Sequence, residues 1–164
     1  MMCMTNFSLK KLSSNDFQFW NDISYAVERE EFNQVAEKIL DLEKQDKAYT
    51  FWLWDDLNNR PVAFVQLFNV LRFPALSANI EISVAEKFQR QGLGKKAILL
   101  LEKFAFVELG VLKLIAPISP ENTPSMKLFT ALGYSKLCED PYAFFIDGKP
   151  MLHSIYVKLS PRVK

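Results

Sequence analysis

The hexapeptide Gln89–Gly94 (QRQGLG) combines two closely spaced glycines with an arginine, a composition suited to binding phosphate. Residues 78–84 before it alternate apolar and polar side chains, as a half-buried strand does. Residues 93–104 after it place apolar side chains at helical spacing. The glycines therefore lie at a strand-to-helix turn, where glycine lets a ligand approach the backbone. The free N–H groups and the dipole of the helix favour a diphosphate there, and Arg90, Lys95 and Lys96 add positive charge.

The glycines alone do not establish a phosphate site, because many strand-to-helix turns need glycine for backbone reasons. Two other phosphate motifs are excluded by the residues present. The dinucleotide fingerprint requires a third glycine where Ala97 stands, and the P-loop requires a Gly-Lys-Ser/Thr sequence that is missing. The pattern that fits is Gln-x-x-Gly-x-Gly, with Gln89 in first place.

A second motif, Glu121-Asn122-Thr123-Pro124-Ser125, lies downstream, and Leu132-Gly133-Tyr134 follows it. Asn122 or Thr123 is suited to cap a helix that Gly133 ends. Residues 111–118 before this motif predict a strand, and the helix between them makes it parallel to strand 78–84.

These two motifs together resemble those of the GNAT superfamily of acyl-CoA-dependent N-acetyltransferases. The Pro-Glu-Asn-x-x-Ser sequence at residues 120–125 is most similar to the branch that includes ribosomal-protein N-terminal acetyltransferases. The specific motifs cover about residues 77–150. The resemblance implies transfer of an acetyl group from acetyl-CoA to a primary amine, by direct attack in a ternary complex. The cofactor-binding residues that it implies are Ile82, Ser83, Val84, Gln89, Arg90, Gln91, Gly92, Leu93, Gly94, Lys95, Asn122, Ser125 and Phe129.

Acetyl transfer to an amine requires a neutral nucleophile and a proton for the departing thiolate. Glu81 resembles the glutamate that serves as base in many family members, and burial would raise its pKa. The alternative is that Glu81 lies on the solvated face of its strand. Backbone N–H groups near Val84 are implied to contact the thioester carbonyl.

The proton donor departs from the commonest pattern of the family, because Phe129 stands where many members carry tyrosine. We interpret Phe129 as a packing residue. The branch resembled here implies Ser125 in that role, with a plain helix-start role as the alternative. Tyr134 and Tyr156 are reserve candidates, and His153 is interpreted as a strand residue instead of a base.

Composition places limits on the class of protein. A chain of 164 residues is long enough for one domain, and we assign residues 1–164 to a single N-acetyltransferase domain. The net charge of +1 gives no reason to expect nucleic acid, and no apolar stretch long enough for a signal peptide or membrane span occurs. Cys3 and Cys138 indicate neither a metal site nor a disulfide. We expect a cytoplasmic protein that needs no metal. A homodimer is one interpretation of its oligomeric state.

The predicted element order is β α α β β β α β α β β, which indicates an α/β fold. We expect a mixed, mainly antiparallel sheet of about seven strands with helices on both faces. The predicted strands span residues 7–12, 49–54, 62–70, 78–84, 111–118, 142–146 and 152–159. The first helix is capped by residues 13–16 and runs to about Val27, and the second spans residues 31–45.

The acceptor amine is not defined by the sequence. A protein N-terminal amine is the first interpretation, and a polyamine or an antibiotic is the alternative. Glu28, Glu30 and Glu31 carry charge of the sign that attracts a basic acceptor, but we interpret them first as a solvated helix end. An acyl-CoA-binding sensor without catalysis and a nucleotide-binding module are the alternatives from other classes.

Overall fold

A computed structural model describes residues 6–23 and 28–164. Within them, seven strands and four α-helices follow the predicted order. The strands are β1 (Phe7–Lys11), β2 (Tyr49–Asp55), β3 (Arg60–Leu71), β4 (Ser77–Val84), β5 (Lys113–Ile118), β6 (Ser135–Ile146) and β7 (Lys149–Leu159). The helices are α1 (Phe17–Ile23), α2 (Arg29–Lys44), α3 (Leu93–Lys103) and α4 (Thr123–Ala131).

The seven strands form one sheet in the order β1-β2-β3-β4-β5-β7-β6. Neighbouring strands are antiparallel except β4 and β5, which are parallel as the sequence predicts. The helices cover both faces. Trp52 of β2 contacts Trp20 of α1, whereas its neighbour Phe51 contacts Phe104 beyond α3, and successive residues of a strand point to opposite faces. The expected mixed, mainly antiparallel sheet with helices on both faces is confirmed.

Aromatic rings form the core between the sheet and helices α1 and α2. The Trp20 ring lies 5.5 Å from Phe32 of α2 and 5.4 Å from Phe64 of β3, measured between centroids. Trp52 is 1% exposed and packs edge-on against the Phe64 ring. Tilted and edge-on pairs of this kind stabilise a core beyond the area they bury.

The start of α1 is fixed to the sheet by Asp16. Its carboxylate accepts hydrogen bonds from the Ser13 N–H at 2.7 Å and from the Trp52 indole N–H at 2.8 Å. Residues 13–16 precede the helix as predicted, and the Asn15 N–H donates to the Ser13 hydroxyl at 3.1 Å. The Asp16 carboxylate additionally joins this turn to β2. The predicted end of the helix at Val27 lies outside the described residues.

The other face of the sheet is covered by α3, whose buried side chains include Leu93, Ala97 and Leu101. A single π-helical turn, Phe104–Glu108, follows, in which the Leu109 N–H bonds the Phe104 carbonyl at 3.0 Å. The Phe104 ring packs 5.0 Å from the Phe51 ring. Helical periodicity does not reveal such a turn, because a π turn inserts one residue without changing the apolar composition.

The start of β6 differs most from the sequence-based boundaries. We predict residues 142–146, whereas the strand begins at Ser135, and β7 begins at Lys149 instead of 152. β6 is one of the two edge strands of the sheet, and its first five residues are all exposed. Two register shifts against β7 interrupt the alternation further. Cys138 in this segment carries a free, exposed thiol, and Cys3 lies outside the described residues.

None of the helices within residues 6–23 and 28–164 has the length and apolar character needed to cross a membrane.

Candidate active site

A cleft opens in the sheet where β4 and β5 separate. The two strands pair only at Ser77–Lys113, Ala78–Leu114 and Asn79–Ile115. Beyond these pairs β4 continues to Val84 and β5 to Ile118. Residues 80–84 therefore have a backbone edge on the β5 side that pairs with no strand among the described residues. A cavity of about 350 Å³ occupies this region, and its lining includes Ile80, Glu81, Ile82, Pro117, Ile118, Asn122, Ser125, Phe129, Phe144 and His153.

The glycine turn lies at the end of β4. Gly92 precedes α3 with φ of 75°, a left-handed conformation that favours glycine, and a Cβ there would meet nothing within 4 Å. The first hydrogen bond of the helix joins the Lys96 N–H to the Gly92 carbonyl. The N–H groups of residues 93–95 come before this bond and therefore have no partner within the helix. The Gln89 side-chain amide donates to the Val84 carbonyl at 3.1 Å. This bond fixes the turn to the end of β4.

Gly94 has a different physical role from the one expected for a phosphate-binding glycine. A Cβ at this position would lie 3.1 Å from Leu128 Cδ2 of α4, with Ile82 Cδ1 and Val84 Cγ2 each at 3.8 Å. The position is closed by packing of α3 against α4 and β4. Gly92 therefore leaves room for a ligand to approach the backbone. Gly94 instead allows α3 to pack closely against α4 and β4.

Two of the basic side chains near the turn are engaged elsewhere. Lys96 Nζ lies 4.3 Å from the centroid of the Phe7 ring, and Lys87 Nζ lies 3.7 Å from an Asp22 carboxylate oxygen. Arg90 and Lys95 are exposed and form no ion pair with any of the described residues. The positive charge available to a phosphate at this turn is that of Arg90 and Lys95.

The start of α4 separates the roles of Asn122 and Ser125. The Asn122 Oδ1 atom accepts a hydrogen bond from the Ser125 N–H at 3.2 Å, so Asn122 is the N-cap. The Ser125 hydroxyl is not used for capping, and Ser125 lines the cavity. The helix-start role therefore belongs to Asn122 and not to the Ser125 hydroxyl.

The phenols considered as reserve proton donors do not line the cavity. Tyr134 is 2% exposed, and burial followed by the charge of Glu102 raises the pKa of its phenol well above the usual range. The Glu102 carboxylate in turn accepts a hydrogen bond from Lys158 Nζ at 2.8 Å. Tyr156, also buried, pairs with Ala116 in the sheet. Phe129 packs edge-on at 4.9 Å from the Tyr134 ring, as a packing residue does.

Glu81 lies between two cavities. Besides the 350 Å³ cavity, it lines one of about 830 Å³ between α2 and strands β3 and β4. The Glu81 side chain is exposed to this cavity space, and desolvation by the protein atoms around it raises the pKa of its carboxyl. Glu81 pairs in register with Gln66 of β3, which pairs with Thr50 of β2, and the Gln66 amide donates to the Thr50 hydroxyl at 2.8 Å. A polar row therefore crosses three strands and ends at Glu81.

Ser83 uses its side chain within the protein. Its hydroxyl donates to the carbonyl of Ile23, the last described residue of α1, at 2.6 Å. Because the hydroxyl of Ser83 is engaged in this hydrogen bond, its backbone is the group that remains for a ligand. The side chains of Ile82 and Val84 point towards α3, on the opposite face of β4.

His153 is a strand residue of β7, as the sequence indicates, yet it also lines the 350 Å³ cavity. Its Nδ1 atom lies 3.3 Å from the Met151 carbonyl, and its ring lies 4.8 Å from the Phe144 ring. The sequence does not reveal this placement, because the register shifts between β6 and β7 decide which of their side chains reach the cavity.

No cluster of three or more His, Cys, Asp or Glu side chains arranged to hold a metal occurs within residues 6–23 and 28–164. The described arrangement thus combines a carboxylate of raised pKa, a hydroxyl and a backbone anion site around one cleft. Such a site can deprotonate a nucleophile beside a bound anionic ligand.

Comparison with known proteins identifies the family and the fold. A family model described as an acetyltransferase (GNAT) domain matches residues 7–135. An N-acetyltransferase 9-like protein from Nematostella vectensis is 41% identical over 63 residues, which are 38% of this chain and 32% of the relative. The chain covers between 24% and 62% of the length of the curated relatives that it matches.

Solved structures match nearly the whole chain at low sequence identity, and so they show the fold. The ribosomal-protein-S5-alanine acetyltransferase from Vibrio fischeri has a TM-score of 0.80 at 19% identity, covering 97% of this chain and 96% of that chain. RimJ from Mycobacterium smegmatis, in complex with CoA-disulfide, has a TM-score of 0.82 at 15% identity, with coverage of 96% and 83%. A spermidine N-acetyltransferase SpeG mutant from Vibrio cholerae has a TM-score of 0.77 at 21% identity, with 94% of each chain covered.

The packing role of Gly94 predicts the behaviour of a larger side chain there. Gly94→Val should lower the free energy of unfolding by about 1–3 kcal/mol, because the added carbons overlap with Leu128. Introducing Leu128→Ala into the same protein should reduce that loss, since it removes the overlapping methyl group. Chemical denaturation of the two single variants and the double variant measures this coupling.

Gly92→Ala is the control for this cycle. It should cost about 1 kcal/mol through its positive φ, and Leu128→Ala should not change that cost. If Gly94→Val lowered the free energy of unfolding by the same amount with and without Leu128→Ala, the packing role would be contradicted.

Proposed function

The chain belongs to the GNAT acetyltransferase family and is an acyltransferase, and from this premise we propose that it transfers the acetyl group of acetyl-CoA to a primary amine. One observation carries the proposal. Glu81 forms part of the wall of both cavities, so an acceptor in the larger cavity and an acyl group in the smaller one meet at the same carboxylate.

The described residues fit the acetyl-CoA that the family implies. The diphosphate would lie at the N–H groups of residues 93–95, with Gly92 open to its approach and Arg90 and Lys95 adding charge. The unpaired edge of residues 80–84 offers backbone hydrogen bonds to an amide-containing arm. Gln91, Leu93 and Gly94 support this surface through the backbone of the turn, and Asn122 and Phe129 form the opposite wall of the cleft.

The chain's own residues handle the protons of the reaction. Acetyl-CoA supplies an acyl group on a thioester. Glu81 accepts a proton from the ammonium form of the acceptor, whose nitrogen then carries the lone pair that forms the new N–C bond. The C–S bond breaks, and its electron pair leaves on sulfur, which takes up the second proton that the acceptor nitrogen loses as the amide forms. The Ser125 hydroxyl, free of capping, donates a hydrogen bond to that charge. No covalent bond to the protein is needed.

We also propose that residues 1–164 constitute one domain. The family match ends at residue 135, but β7 lies between β5 and β6 in the sheet. The residues after 135 thus complete the same sheet as those before it. The closeness of residues 120–125 to the ribosomal-protein branch makes a peptide N-terminal amine the first acceptor to examine.

Removal of the Glu81 carboxylate tests the proposed base. Glu81→Gln should lower kcat by about 10²-fold at neutral pH and should leave the affinity for acetyl-CoA nearly unchanged, since the carboxylate acts on the acceptor. The loss of kcat should shrink as pH rises towards the pKa of the acceptor amine, because the amine then loses its proton to solvent without Glu81. Steady-state rates across pH, read with the dissociation constant of acetyl-CoA, measure both effects.

A rate and a pH profile unchanged by Glu81→Gln would remove Glu81 as the base. Tight acetyl-CoA binding by the unaltered protein, without turnover on peptides, polyamines or aminoglycosides, would instead support a sensor that has lost catalysis.

Ser125→Ala separates a role in chemistry from a role in folding. Because Asn122 supplies the cap, the free energy of unfolding should change by less than about 0.5 kcal/mol. The value of kcat should fall by about tenfold, the loss of one hydrogen bond to a charged group. Asn122→Ala is the matched control and should cost about 1 kcal/mol of stability. Parallel losses of stability and rate in Ser125→Ala would indicate a structural hydroxyl.

A further inference from the structure

Resting on the proposed function, we infer that the acceptor is an amine attached to an apolar body that also carries an anionic group. A peptide with an apolar first residue and an acidic residue after it is the simplest such acceptor. The inference depends on the lining of the 830 Å³ cavity, in which Glu81 is the carboxylate available to an amine.

The wall of this cavity is mainly apolar. Trp20 of α1 and Phe64 of β3 lie deep in it and are almost completely buried. Ile39 and Leu42 of α2 and Phe68 of β3 continue the apolar surface. A fully hydrated polycation would lose its water against these walls without regaining polar contacts. An aliphatic or aromatic side chain next to the amine gains by burial there.

The charges at the cavity oppose a polyamine. Two lysines line it, Lys38 of α2 and Lys47 between α2 and β2, and Glu81 is the one carboxylate among its described lining residues. Both lysines are exposed and form no ion pair with other residues that the structure describes. An anionic group on the acceptor would provide the partner that these ammonium groups lack, whereas a second ammonium would be repelled.

The acidic residues considered from the sequence as attracting a basic acceptor lie elsewhere. Glu28, Glu30 and Glu31 are exposed at the start of α2, and none of them lines the cavity. Their exposure agrees with the solvated helix end by which we first interpret them.

The end of the cavity nearest Glu81 is suited to a single ammonium. The Gln66 amide nitrogen donates to the Thr50 hydroxyl, which leaves the Gln66 carbonyl oxygen as an acceptor. Gln66 is the cross-strand partner of Glu81. One carbonyl and one carboxylate together match the donors of one ammonium group. The cavity therefore has one cationic position at Glu81 and an anionic position near the lysines.

The fold itself leaves this choice open, because an S5-alanine acetyltransferase and a spermidine N-acetyltransferase both share it. The discrimination lies in the side chains of the cavity. Lys38 and Lys47 are therefore specificity-determining residues in this inference, and neither touches the reacting atoms.

The test compares the peptides Leu-Asp-Asp-Ala and Leu-Lys-Lys-Ala with spermidine as acceptors. We expect kcat/KM for the acidic peptide to exceed that for the basic peptide at least tenfold, mainly through KM, and spermidine to be the poorest acceptor. Lys38→Glu and Lys47→Glu should each shrink or reverse this preference. Lys44→Glu, an equally exposed charge reversal in α2 that does not line the cavity, should leave it unchanged.

Calorimetric binding of the two peptides to the CoA-saturated protein provides a readout that is independent of turnover. Tighter binding of the acidic peptide, weakened by Lys47→Glu and not by Lys44→Glu, is the expected result. Preference for spermidine or the basic peptide, or equal effects of the three reversals, would overturn the inference while leaving acetyl transfer intact. Failure of all acceptors, with no binding of acetyl-CoA, would instead contradict the proposed function.

Discussion

The separation of β4 from β5 after three residue pairs is the constraint on which the site depends. Both strands stay fixed, because β4 pairs with β3 up to Val84 and β5 pairs with β7 up to Ile118. The opening between them is therefore held by the rest of the sheet. It leaves a backbone edge that requires hydrogen-bond partners, and it places the cavity between that edge and the start of α4.

The alternation of side chains along β4 then divides the two functions of the cleft. Ile82 and Val84 point towards α3 and support the turn at Gly92, while Glu81 and Ser83 face α1 and α2. Packing of Gly94 against Leu128 brings α3 and α4 together on either side of the opening. One strand thus presents its backbone to the proposed cosubstrate and its carboxylate to the proposed acceptor.

The sequence predicted those features that depend on local chemistry. The element order, the parallel pair β4 and β5, the glycine turn and a cap at Asn122 all follow from periodicity and from capping and turn residues. Features set by tertiary packing were not predicted. The π turn at Phe104–Glu108, the early start of β6, the packing role of Gly94 and the place of His153 in the cavity depend on neighbours distant in the chain.

Thermal unfolding with saturating acetyl-CoA, free CoA or ADP tests most directly whether the cleft and the turn form one acetyl-CoA site. A ligand that binds only the folded protein raises its stability by an amount set by its concentration relative to its dissociation constant. We expect acetyl-CoA and CoA to raise Tm well beyond ADP, because ADP reaches the turn at Gly92 but not the edge of β4. Equal shifts with ADP and CoA would limit binding to the turn, and no shift at millimolar ligand would contradict the account.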